Sequence, residues 1–128
     1  MHIAVALLDR KYEGQGTSIK KRCEFGYSPL CLACDAQYVD IARMLLARGA
    51  RQDVPNNYGC TGLHLTTFYN NKVIVRLLAA APFFKEALEI RASDIRHGAG
   101  VQLMTPLEMA IFYDVPEIEA ILRENGAI

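Results

Sequence analysis

A chain of 128 residues with 52% apolar and 22% charged side chains is expected to form one ordered domain with a moderate core. Its formal net charge of zero gives no reason to expect a nucleic acid or an anionic membrane as partner. The apolar run at residues 3–8 is too short to span a bilayer and is followed by no small-residue cleavage site. An intracellular, cytoplasmic protein is the expectation, and free thiols at Cys23, Cys31, Cys34 and Cys60 suit such a compartment.

In chain order, residues 2–8 read either as a helix ending in Leu7-Leu8 or, from the alternation of Ile3, Val5 and Leu7, as a strand. Residues 13–18 have the chemistry of a loop. At Ser28-Pro29 a helix begins: the serine hydroxyl can cap it, and proline at the first helical position gives up a donor that would go unused. Leu30, Leu32, Ala33 and Cys34 then feed a core. Asp40 is expected to start a second helix running to Leu46, with Gly49 supplying the left-handed residue after it. Residues 51–59, rich in Pro, Asn and Gly, predict a projecting hairpin. Helices over 62–69 and 73–80 follow, broken by Asn70-Asn71-Lys72. Residues 82–91 predict a short extra helix with Phe83, Phe84, Ala87 and Leu88 on one side, and 93–100 a loop. A last pair begins at Thr105, with Asp114 able to cap its second helix and Pro116 early within it.

These elements repeat. Thr61-Gly62-Leu63-His64 has a partial copy 33 residues upstream, Ser28-Pro29-Leu30-Cys31, and another 44 residues downstream, Thr105-Pro106-Leu107-Glu108. Each is followed by a helix, a polar break and a second helix ending in paired aliphatics: Leu45-Leu46, Leu77-Leu78 and Ile121-Leu122. Self-similarity at this spacing implies stacked helix–turn–helix units.

The pattern resembles the ankyrin repeat, whose unit is 33 residues long with a Thr-Pro-Leu-His signature. Gly49-Ala50, Gly59 two residues before Thr61, and Gly126-Ala127 fall at the family's offsets. The resemblance implies an all-α ankyrin-repeat solenoid of helix–turn–helix units with short hairpin loops. Its expected parts are a partial first repeat and loop at 1–25, repeats at 26–58 and 59–102, and a C-terminal repeat at 103–128. The second repeat would carry an insertion at about 82–100, which adds a contact surface or a cap. The hairpin before Thr105 is expected to be irregular, since Leu103 stands where the pattern has glycine.

Chemistry is sparse. Cys31-x-x-Cys34 falls inside a helix, and a zinc site would need two more ligands, for which Cys23 and Cys60 are the thiol candidates; small core residues are the plainer reading. The family places a turn-binding residue at the slot of His64. No catalytic motif, metal or cofactor is expected.

The family's variable contact positions map onto Tyr27, Asn57, Tyr58, Phe68, Tyr69, Gln102, Phe112 and Tyr113, with Phe25, Cys60 and Met104 at the groove edge. Phe68-Tyr69 and Phe112-Tyr113 occupy equivalent positions; the pair in the first repeat is Asp35-Ala36. Aromatic residues concentrate at binding hot spots, but they also stack on one another in cores. A protein or peptide held on an aromatic concave face is the first functional reading. The alternative is a structural subunit that contacts several chains through uncapped ends and the insertion. Residues 1–22 are mainly basic and 105–128 mainly acidic, which suits either head-to-tail contacts or solvated terminal faces.

Overall fold

The computed structural model describes residues 26–92 and 103–127. The readings made for residues 1–25 and 93–100, and for Gln102, lie outside the described residues.

Seven helices occur among the described residues: α1 Pro29–Asp35, α2 Val39–Ala47, α3 Gly62–Phe68, α4 Lys72–Ala79, α5 Phe84–Leu88, α6 Pro106–Phe112 and α7 Pro116–Glu124. Helices α1, α3 and α6 pack side by side as one layer, and α2, α4 and α7 as a second layer behind it. The two layers meet over Leu32, Leu45, Leu63, Leu65, Ile74, Leu78, Ile118 and Leu122, all buried. Leu45, Leu78 and Leu122 stand at one repeat position, so the aliphatic pair of the first repeat is Met44-Leu45, and Leu46 is only half-buried.

Local chemistry explains where the first-layer helices start. Ser28 Oγ accepts from the Cys31 N–H at 3.2 Å ahead of Pro29. Thr105 and Glu108 close a reciprocal capping box, at 3.2 Å from the Glu108 N–H to Thr105 Oγ1 and 3.0 Å from the Thr105 N–H to Glu108 Oε1. Gly62 replaces the proline because space is short. A Cβ built on it would lie 2.8 Å from Cys34 Sγ of the preceding repeat.

Two expected caps differ. Helix α2 starts at Val39 with Tyr38 at its N-cap, and α7 starts after Val115, neither with a side-chain cap. Asp114 instead ends α6, in the left-handed conformation (φ 54°) that Gln37 (59°) and Asn70 (56°) adopt after α1 and α3. At each turn the next N–H returns to the helix just ended: Tyr38 to Ala33 O at 2.9 Å, Asn71 to Thr66 O at 2.9 Å and Val115 to Ala110 O at 3.0 Å. The demand for a helix stop thus overrides the capping preference of Asp114.

The insertion belongs to the core. Phe84, Ala87 and Leu88 of α5 are buried, and buried Gln52 donates through Nε2 to Leu78 O and Pro82 O, each at 2.9 Å. Phe83 departs from the expected apolar side. It precedes α5 with φ 70°, is exposed, and lies under the Arg51 guanidinium at 4.0 Å.

Candidate functional site

Among the described residues the hairpin loops are turns without strands. Asn56 forms the first: its N–H donates to Cys60 O at 2.8 Å and its Oδ1 accepts from the N–H groups of Tyr58 and Cys60 at 2.9 and 3.0 Å. Gly59 adopts φ 80°, and a Cβ there would lie 2.9 Å from Arg91 O. A Cβ on Gly26 would in turn meet Asn57 Oδ1 at 2.5 Å. Successive hairpins therefore touch, and Tyr27, Asn57 and Tyr58 fall in one row. Before Thr105, among the described residues, an antiparallel bridge joins Ala92 and Met104.

The second row lies at the opposite ends of α3 and α6. Phe68 and Tyr69 meet edge to face at 5.1 Å, Phe68 and Tyr113 at 5.3 Å, and Phe112 and Tyr113 at 5.0 Å. Tyr69 also donates from its hydroxyl to Asp35 Oδ1 at 3.0 Å. Each tyrosine thus leans on the preceding repeat, Tyr69 on Asp35 and Tyr113 on Phe68. Phe112 has no following repeat among the described residues and is 62% exposed; Tyr69 is 36% and Tyr58 44% exposed. Phe68 and Tyr113 are half-buried and help to join repeats.

A seven-residue helix separates the two rows, about 10 Å at 1.5 Å per residue. The floor between them is buried, as are Cys60 and Met104, which the sequence places at the groove edge. Burial of Cys60 follows from its place under the turn, between Asn56 and Thr61.

Sequence reasoning missed Asp35, an acid buried in α1 that receives the Tyr69 hydroxyl. A carboxylate in an otherwise apolar helix, at the slot occupied by Phe68 and Phe112, was the available signal.

His64 is structural. Its Nδ1 accepts from the Thr61 N–H at 3.1 Å, which leaves Nε2 to donate to Met104 O of the next hairpin at 3.1 Å. Burial is the main cause that lowers its pKa to about 4. Cys31 and Cys34 are buried free thiols with pKa values raised by desolvation, so neither is an activated nucleophile. Among the described residues no group of three or more His, Cys, Asp or Glu could hold a metal ion. Among them, too, no helix is long and apolar enough to cross a membrane.

Residues 2–87 match a family model described as Ankyrin repeats (3 copies). The chain is similar to the ankyrin repeat protein FPV230 of Fowlpox virus (strain NVSL), with 33% identity over 70 residues, 55% of this chain and 36% of that protein. It is also similar to protein phosphatase 1 regulatory subunit 27 of Homo sapiens and of Mus musculus. Each is 46% identical over 44 residues, 34% of this chain and 29% of the relative. The chain thus spans about a third of the length of the curated relatives it matches. Helices α6 and α7 lie beyond the residues matched by the family model, yet they reproduce the layers, caps and buried positions of the pairs before them.

Proposed function

This chain belongs to the ankyrin-repeat family, and we propose that it is a non-catalytic binding module holding a protein or peptide between its two rows of contact residues. The observation that carries this reading is the exposure of Tyr69 and Phe112 within a connected ladder of rings, with exposed Tyr58 in the facing row of hairpins. Tyr and Phe offer large contact area for few frozen torsions, and rings already packed on one another lose little further freedom on binding. A spacing of about 10 Å between the rows suits an extended or helical segment laid across the repeats. Similarity to a subunit named as a phosphatase regulator supports binding as the role.

A photoactivatable phenylalanine analogue at position 58 or 112 will, on this reading, crosslink a partner in cell extract. The same analogue at Val73, 51% exposed on the second layer, will leave that partner uncrosslinked. Equal adducts from all three positions would overturn the assignment of the surface.

A further inference from the structure

We propose that the ring-bearing side of the first layer selects a partner segment with arginine side chains three residues apart, an inference that rests on the binding role proposed above. The charges on this side are of one sign. Residues 29–38, 62–71 and 106–115, the first-layer helices with the turns after them, contain Asp35, Glu108 and Asp114 but no Lys or Arg, although eight such bases occur elsewhere among the described residues. Bases on the adjoining hairpins and turn are engaged by acids of their own. Arg91 holds Glu108 at 2.8 Å, Arg51 holds Asp53 at 2.7 Å, and Lys72 meets Glu117 at 3.0 Å.

The two acids that remain flank the ladder of rings. Asp35 accepts from the Tyr69 hydroxyl at 3.0 Å, and Asp114 follows Tyr113. Asp114 is exposed and forms no ion pair among the described residues. Its exposure belongs to its place in the repeat, since Gln37 and Asn70 at the same turn position are exposed too. Tyr69 likewise stays 36% exposed although α6 packs beyond its own helix.

These features fit a guanidinium. The face of an aromatic ring attracts a cation, and a phenol that donates to a carboxylate carries more electron density in its ring. Arginine stacks flat on such a face and also pairs with a carboxylate through two N–H groups, which lysine cannot do. Packed helices stand about 8–10 Å apart. A polyproline II segment advances about 9 Å per turn of three residues. Arginines three residues apart on such a segment therefore reach successive repeats.

The test is fluorescence anisotropy of the whole chain with a labelled Gly-Pro peptide that carries arginine at every third position, up to about 1 mM protein. The same peptide with citrulline, which keeps the shape and loses the charge, should bind at least tenfold more weakly. Asp114→Asn keeps the left-handed turn, and Tyr69→Leu keeps apolar bulk; each should weaken the arginine peptide about two- to fivefold. Circular dichroism checks the fold, and Asp35→Asn, which leaves the Tyr69 hydroxyl an acceptor, gives a second reading of the same size. Glu124→Gln, on the second layer, should change nothing. Equal binding of the citrulline peptide would overturn the proposal, as would arginine binding that neither Asp114→Asn nor Tyr69→Leu weakens. No binding of the arginine peptide would overturn it too, and the binding role itself would still stand if position 58 crosslinks a partner that position 73 does not.

Discussion

Acidification should destabilise this fold through His64, in a window set by its pKa values. The folded protein holds that pKa at about 4, against 6.5 for the exposed side chain. Protonation therefore favours the unfolded chain. The stabilisation is fully present above pH 6.5 and is lost progressively as the pH falls toward 4. Each unit of separation corresponds to about 1.4 kcal/mol, so the complete loss is about 3 kcal/mol, with about 2 kcal/mol gone by pH 5. The charged imidazole would have to turn a donor toward the Thr61 N–H, which now donates to Nδ1. Urea denaturation between about pH 7.5 and pH 5 measures the effect, with His64→Gln as the reference. Glutamine at this position can still close the capping box, though it gives up the bond to Met104 O and about 1 kcal/mol at neutral pH. The wild type should lose stability across the window while the variant stays nearly flat. Asp53 and Glu108, whose pKa values are lowered by Arg51 and by the Thr105 N–H respectively, titrate below it. Equal pH dependence in both proteins would refute the reasoning.

Two further predictions concern the repeat junctions. Replacing glycine by alanine in a helix ordinarily adds about 0.5–1 kcal/mol of stability, but Gly62→Ala should remove about 1–3 kcal/mol, because the new methyl meets Cys34 Sγ at 2.8 Å. The pairing is tested by a double-mutant cycle in chemical denaturation: with Cys34→Ala in place, Gly62→Ala should cost little, and unchanged cost would show that the sulfur is not the obstacle. Gln37→Gly should raise Tm, since an exposed residue with a side chain is held there at φ 59°, and release of that strain is expected to be worth about 1 kcal/mol. A lower Tm would mean that the added freedom of the unfolded chain outweighs it.

The fold was legible because the repeated tetrapeptides carry their own physics. Ser28, Thr61 and Thr105 cap helices, and residues three positions later complete two of those caps, so three helix starts could be placed from composition alone. Second-layer starts were harder. Asp40 and Asp114 have good capping side chains, but the turn before each second helix is built around ending the first, and Asp114 is used for that. Phe83 read as part of an apolar helical face because periodicity carries no information on the left-handed turn that expels it. At the candidate site, repeat position identified the ring pairs. It could not reveal that Phe68 and Tyr113 are partly consumed in joining repeats, or that Asp35 takes the Tyr69 hydroxyl; both depend on how far one repeat is offset from the next.

The exposed members of the two rows are the proposed partner-binding surface. It is tested most directly by isothermal titration of the purified, crosslink-identified partner into the wild type, the Tyr58→Ala/Phe112→Ala variant and Val73→Ala. Binding should be at least tenfold weaker in the double variant, with Tm lowered by only a few degrees, as expected for loss of one edge-to-face contact of about 1 kcal/mol. Val73→Ala should bind as the wild type does. An unchanged Kd for the double variant, or a loss of binding matched by a loss of folded protein, would contradict it.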